Sequence, residues 1–350
     1  MDVNAVGVVG LGTMGAGITE VFARADITVV AVEAEDTLLT AGRGRVETSL
    51  RRAVDRGRLT PDALSATLDR FTFTTDREAL AKADLVIEAV PERLDVKTGL
   101  FADLDRICRP ETILATNTSS LPVTAIAAGT GRPARVVGMH FFNPAPVMQL
   151  VEVVTTVLAD GDVVSSVSGL AQRCGKTPVV VGDRAGFIAN ALLLPYLNHA
   201  ARLVETGAGA VDAIDTAVVA ATGLPMGPLS LMDLIGLDVC VPILDVLWEE
   251  FRDRRYAVSP LLRRLALAGH LGRKSGRGWY RYDGEQPLPA VPSAGRGDFD
   301  PQALIGAHVA DGRRMVAEHY ADAEAVDTAM RLGCGYPRGL FALDPEAATA

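Results

Sequence analysis

His140 and Glu152 are the residues in this chain best suited to moving a proton. The histidine sits near the end of a β-like segment, Arg135 to Phe142. The glutamate lies in another, Gln149 to Thr155. An imidazole ordinarily titrates near neutral pH and can take a proton from a hydroxyl. It needs its second nitrogen oriented to do so. A carboxylate on a neighbouring strand can accept that N–H and stabilise the imidazolium. A histidine at a strand end is more often a satisfied core residue, and the glutamate is what makes it a candidate base. Ser119 and Asn190 offer a hydroxyl and an amide that can hold an oxygen as it becomes a carbonyl. Their bland alternatives are a helix N-cap for Ser119, a job Ser120 can also do, and an exposed helical residue for Asn190. Such a set suits oxidation of a secondary alcohol, provided that something accepts the hydride.

That acceptor is read from the N-terminal stretch. A continuous apolar run, Val6 to Val9, passes into Gly10-x-Gly12-x-x-Gly15 and then into a helical pattern with Ile18, Val21 and Phe22. Gly10 allows the tight turn, Gly12 has no Cβ to block a pyrophosphate, and Gly15 lets the helix sit close on the sheet. The helix N-terminus then points N–H groups at the phosphates. The candidate contacts in this turn are Gly10, Gly12, Thr13, Met14 and Gly15. The next strand, Ile27 to Val32, ends at Glu33, a carboxylate about 20 residues past the glycines. It can accept hydrogen bonds from the ribose hydroxyls and repel a 2′-phosphate, which favours NAD over NADP.

The elements that position these residues alternate. Strands are expected at Asp84–Val90, Thr112–Thr116, Arg135–Phe142, Gln149–Thr155 and Thr177–Val181, with a helix over Leu94–Ile107. Strands alternating with helices mean a parallel, doubly wound sheet whose ligands gather at the C-terminal strand ends. Glu33, Glu92, Asn117, Ser119 and Asn143 all fall at or just past such ends. A helix over Leu38–Arg58 carries six arginines against three acids in and just before it, with Arg45, Ser49, Arg52 and Arg56 on one face. That stripe is either a solvated surface or a cradle for a polyanion such as the phosphates of coenzyme A.

From Phe187 onward helical patterns dominate, over 187–206, 210–222, 228–251 and 259–269. Residues 283–300, rich in Pro, Gly and Asp, read as a linker. The tail repeats an earlier segment: Ala213-Ile-Asp-Thr-Ala with Gly223-Leu-Pro-Met-Gly aligns without a gap on Ala325-Val-Asp-Thr-Ala with Gly335-Tyr-Pro-Arg-Gly.

Composition narrows the class. The chain has 350 residues, is 49% hydrophobic and carries a formal charge of −9, with a mean hydropathy of +0.22 and a pI near 5.2. An acidic chain is poorly suited to general nucleic-acid binding. Cys108, Cys174, Cys240 and Cys334 are scattered without metal spacing and read as free thiols of a reducing compartment. No metal site is expected. The glycine motif begins close to Met1, and no apolar run is long enough to span a bilayer, so a cytoplasmic protein is expected.

The segments GLGTMGAGI, EAVPERLDVK, NTSSL, GMHFFNPAPVMQLVEVV, DRAGFIANALL, GLPMGPLSLMDLIGLD and GRKSGRGWYRY occur in that order. In sequence and spacing they resemble the NAD-dependent 3-hydroxyacyl-CoA dehydrogenase family over roughly residues 5–282. The resemblance implies reversible oxidation of (3S)-3-hydroxyacyl-CoA. It implies cofactor contacts from Glu92, Lys97, Asn143 and Lys274, substrate contacts from Ser119 and Asn190, and CoA contacts from Ser49 and Arg56. Arg56 stands where the family often has lysine, which keeps the charge and changes the geometry. The same chemistry on an acyl group carried by an acyl carrier protein is one alternative, and a catalytically lapsed NAD-binding scaffold is another. The expected fold is α/β: a Rossmann-type doubly wound parallel sheet over 1–183, then an all-α domain over 184–282. The linker 283–300 and a short degenerate second copy over 301–350 follow. The apolar helical domain predicts a homodimer through its surface.

Overall fold

The computed structural model describes residues 2–284, 286–291 and 299–344. It divides into two compact units, Met1–Arg184 and Ala185–Ala350.

The first unit runs β1 (Ala5–Val9), α1 (Thr13–Arg24), β2 (Thr28–Val32), α2 (Asp36–Asp55), α3 (Pro61–Leu68), β3 (Phe71–Thr74), β4 (Leu85–Glu88), α4 (Leu94–Ile107), β5 (Ile113–Thr116), α5 (Val123–Ala128), β6 (Val136–Phe141), β7 (Leu150–Thr155), α6 (Gly161–Arg173) and β8 (Thr177–Gly182). Eight strands form one sheet in the order β3-β2-β1-β4-β5-β6-β7-β8. The order reverses between β1 and β4, the switch point at which open α/β sheets bind ligands. Central strands are buried on both faces, as their unbroken apolar runs require: β4, β5 and β6 have no exposed residue. One core cluster packs Val6, Val8, Ile18, Phe22 and Ile87; a second gathers Val86, Leu100, Phe101 and Leu114.

Two details depart from the sequence reading. Strand β7 runs antiparallel to β6, while the other pairings in the sheet are parallel. A short turn joins these two strands, with no room for a crossover helix. The edge strand β3 was not expected; its four residues are too few and too evenly half-exposed to show a clear period.

The second unit runs α7 (Ala189–Glu205), α8 (Val211–Thr222), α9 (Pro228–Ile235), α10 (Leu237–Phe251), α11 (Pro260–Leu267), the short pair β9 (Tyr280–Arg281) and β10 (Leu288–Pro289), α12 (Gln302–Ala317) and α13 (Ala323–Cys334). The expected single helix over 228–251 is broken at Gly236, whose φ of +104° no helix accommodates. Of the expected linker 283–300, residues 285 and 292–298 lie outside the described residues, as do 345–350 of the tail.

Two buried carboxylates hold this unit. Asp215 accepts from the backbone N–H of Leu229 (2.8 Å), from the N–H and hydroxyl of Ser230 (2.9 and 2.6 Å), and from Tyr280 Oη (2.9 Å). Asp233 accepts from Trp279 N and Tyr280 N, each at 2.9 Å. The tail repeats the first device. Helices α8 and α13 both end in a left-handed glycine, Gly223 and Gly335. Gly227 packs against Asp215 as Gly339 packs against Asp327, and Asp327 accepts from Phe341 N at 3.1 Å. Both α12 and α13 pack on α7.

Cys108 and Cys240 are buried free thiols. Burial pushes them up to about 11 and about 12 respectively, so both stay protonated and inert near neutral pH.

Candidate active site at the carboxyl ends of the strands

The glycine turn has the shape its residues require. Gly10 adopts φ +89°, and a Cβ there would lie 2.9 Å from the Ala89 carbonyl oxygen. A Cβ on Gly15 would fall 1.7 Å from the Gly10 oxygen. Gly12 differs: a Cβ there would meet nothing within 4 Å, so its bare backbone faces open space. Helix α1 starts at this point with Gly12 as N-cap and no side-chain cap bond, its first turn holding Thr13 and Met14. Glu33 stands across the turn, with Oε2 accepting from Leu11 N (2.7 Å) and Oε1 from Ala34 N (2.9 Å). A bare glycine over open space, an uncapped helix N-terminus and an adjacent carboxylate fit the pyrophosphate and ribose of a dinucleotide.

At the other end of the sheet, antiparallel pairing sets His140 directly opposite Glu152. The His140 Nδ1 to Glu152 Oε2 distance is 2.7 Å, and the glutamate side chain is fully buried. Gly138 permits this closeness: a Cβ there would lie 2.6 Å from Val154 Cβ. The Phe142 ring tilts against the imidazole, with centroids 4.5 Å apart. Asn117 accepts through Oδ1 from Phe141 N at 2.9 Å and so ties the end of β5 to the strand that bears the histidine.

Ser119 lies in the loop after β5. Its N–H donates to Glu92 Oε1 (2.9 Å), and that oxygen also takes the Thr118 hydroxyl at 2.5 Å. Burial raises the Glu92 carboxyl, but the Lys97 charge and the bonds from Thr118 and Ser119 outweigh it, holding Glu92 below the usual carboxylate range. The N-cap alternative for Ser119 and Ser120 is not what forms. Helix α5 has Pro122 as its N-cap, and Asp183 accepts from Val123 N (3.0 Å) and Thr124 N (2.6 Å). Lys97 is neither a solvated charge nor an exposed ligand. It is 1% exposed, with Nζ 2.7 Å from Glu88 Oε1, 2.9 Å from Glu88 Oε2 and 3.2 Å from Glu92 Oε2.

Sequence reasoning overlooked Glu88, Thr116 and Lys176. The Lys176 ammonium donates to the carbonyls of Ala145 (2.6 Å) and Met148 (2.7 Å), clamping the loop that follows the cis Asn143–Pro144 bond. A lysine directly before the apolar strand β8 was the available signal.

The arginine stripe of α2 is partly engaged. Arg45, Ser49 and Arg52 line a groove of about 540 Å³ with Thr13, Asn143 and Pro144. Arg45 Nη1 also donates to the Leu11 carbonyl at 3.2 Å. Arg56 is an exposed residue at the C-cap of α2 and is not part of this groove. Its backbone N–H still bonds the Arg52 carbonyl at 3.2 Å, which places it on the stripe one turn beyond the groove.

Two candidates belong to the second unit. Asn190 stands in the first turn of α7. Lys274 pairs with Asp238 at 2.5 Å and lies against Gly236. Among the described residues no helix is long and apolar enough to cross a membrane.

A dinucleotide turn at the switch point and an oriented histidine farther along the same edge define a nicotinamide-dependent dehydrogenase. Comparison with known proteins narrows the class. A sequence profile of the NAD-binding domain of 3-hydroxyacyl-CoA dehydrogenases matches residues 5–184, and that of their C-terminal domain matches 186–282 and again 301–347. The chain is 49% identical over 282 residues to the 3-hydroxybutyryl-CoA dehydrogenase of Mycobacterium tuberculosis H37Rv, covering 80% of this chain and 99% of that one. It is 43% identical over 308 residues to the 3-hydroxyadipyl-CoA dehydrogenase of Escherichia coli K12, covering 87% of this chain and 64% of the relative. The crystal structure of an E. coli K12 3-hydroxybutyryl-CoA dehydrogenase superposes with a TM-score of 0.92 at 33% identity, spanning 99% of this chain and 92% of its own. The chain belongs to the 3-hydroxyacyl-CoA dehydrogenase family and is an NAD-dependent oxidoreductase.

Proposed function

We propose that the chain interconverts (3S)-3-hydroxyacyl-CoA and 3-oxoacyl-CoA, with His140 as general base. The 2.7 Å contact between His140 Nδ1 and Glu152 is the observation that carries this reading. With Nδ1 committed to the carboxylate, Nε2 is the nitrogen that takes the hydroxyl proton, and Glu152 offsets the positive charge that the ring then gains. The Ser119 hydroxyl and the Asn190 amide hold the substrate oxygen as it becomes a carbonyl. Bound NAD supplies the hydride acceptor. Gly10, Gly12, Thr13, Met14 and Gly15 would hold its phosphates and Glu33 its adenosine ribose, while Glu92, Asn117, Ser119, Asn143 and Lys274 would hold its nicotinamide half. The names of the relatives support a CoA thioester. The groove with Ser49, Arg45 and Arg52 supplies cationic partners for the CoA phosphates.

We assign the working form to a homodimer in the cytoplasm. The apolar residues behind the dimer expectation are mostly consumed internally: Leu229, Met232 and Leu244 are fully buried. Leu234 (52% exposed) and Val239 (42%) remain as the outward apolar positions of α9 and α10.

The test is NADH formation from 3-hydroxybutyryl-CoA. His140→Gln should lower kcat by about 10²–10⁴ and leave NADH affinity within about threefold. Turnover near the parental rate would refute the assignment of the base.

A further inference from the structure

Glu88 is the last residue of β4 and fully buried, on the strand beside the point where the strand order reverses. A carboxylate there is costly unless its charge is compensated. It receives both contacts from Lys97 Nζ, the Val90 N–H at 3.0 Å and the Thr116 hydroxyl. A pair that served stability alone could end there. This one continues: the same ammonium reaches Glu92 Oε2 at 3.2 Å, and Glu92 Oε1 holds the Ser119 N–H and the Thr118 hydroxyl. Thr116 adds a second route, since its hydroxyl oxygen accepts from Thr118 N at 3.2 Å.

The segment after Glu88 also abuts the cofactor turn. Ala89 N donates to the Val9 carbonyl at 2.8 Å, and Gly10 and Gly15 both lie against Ala89. Glu88 is held by register to Val9 on one side and to Thr116 on the other. It is therefore the buried end of a chain of contacts whose other end is the Ser119 loop.

We propose that Glu88 is a positioning residue for the dehydrogenation: through Lys97 and Glu92 it sets the place of Ser119 relative to the dinucleotide crevice. This rests on the function proposed above. It assigns Lys97 a role toward Glu92, as the bridge between two carboxylates. With the amide Glu88→Gln, Lys97 loses the partner that holds it inward. Glu92 then loses its anchor, and the Ser119 N–H and hydroxyl lose their fixed position.

The experiment is a double-mutant cycle on kcat in the full-length chain, with NADH affinity read separately by fluorescence. E88Q should lower kcat by about 10- to 100-fold, and because Glu92 and Ser119 also face the nicotinamide half, NADH binding should weaken with it, by up to about tenfold. S119A should lower kcat as well, and E88Q/S119A should fall no more than about twofold below S119A alone. A purely structural role predicts the opposite: losses that multiply, or an E88Q enzyme within about twofold of the parent. Either result overturns the inference. If E88Q does not fold, E88Q/K97M removes both charges and leaves no lone buried ion. The same comparison with S119A then applies, with the same two outcomes. Failure of the parent chain itself to oxidise a 3-hydroxyacyl-CoA would overturn the proposed function and this inference with it. An active parent with an unaffected E88Q overturns the inference alone.

Discussion

At the residue scale, two glycines in one motif should fail in different ways. A methyl on Gly12 meets nothing within 4 Å, so Gly12→Ala should fold with an unchanged Tm and bind NADH at least about tenfold more weakly. A methyl on Gly15 collides with the Gly10 oxygen at 1.7 Å, so Gly15→Ala should cost more than about 2 kcal/mol of stability before binding is considered. Thermal unfolding and NADH titration of both variants check this; equal Tm losses would contradict it. Such roles were readable in advance because each is set by the backbone within a few residues. The His140–Glu152 pair was readable for a related reason, each residue being the one ionisable group in the interior of an apolar strand. Lys97 was not. Its partners are chosen by which carboxylates β4 and the turn after it deliver, and nothing in the spacing of 88, 92 and 97 says that the side chain turns inward.

At the scale of elements, the C-terminal repeat contains a titratable lock. His308 of α12 is buried, stacks on Tyr196 of α7 at 4.5 Å, and its Nε2 lies 2.8 Å from Tyr336 Oη. Burial pushes the ring down from 6.5 to about 3. It is therefore neutral when folded at pH values where the unfolded chain already takes up a proton. The stability it contributes is complete above pH 6.5 and is lost as the pH falls towards 3, by about 1.4 kcal/mol per pH unit. Urea unfolding of the second unit should weaken accordingly on acidification, and His308→Phe should flatten that limb. An unchanged slope in the variant would remove His308 as its cause. The strand and helix content of the first unit was legible because buried parallel strands announce themselves as apolar runs. Strand direction was not, since a period of two is the same either way, and the hydrophobic spacing of 228–251 runs straight through the break at Gly236.

At the scale of the whole molecule, the second copy of the helical motif is a partial one that nonetheless keeps the aspartate–glycine device of the first. Its helices cover α7 from within the chain. Among the described residues of the second unit Leu234, Val239, Leu267 and Leu288 stay exposed, and Leu234→Asp with Val239→Asp should convert the proposed dimer to a monomer by light scattering without loss of fold. A parent of monomeric mass at micromolar concentration would refute the dimer. The repeat was legible as aligned residues. What the sequence left open was which face it covers, because that depends on packing between segments more than a hundred residues apart.

The antiparallel ladder between β6 and β7 constrains how this enzyme can vary. Neighbouring positions on β7 point to opposite sides of the sheet, so sliding that strand by one place would present Val151 or Val153 to the imidazole instead of an acid. The connecting turn is constrained as well: Phe142 lies against the imidazole, Asn143 and Pro144 line the groove beside α2, and Lys176 holds the carbonyls of Ala145 and Met148. A single added or deleted residue absorbed by the strand would silence the reaction in a protein that still folds and still binds its dinucleotide.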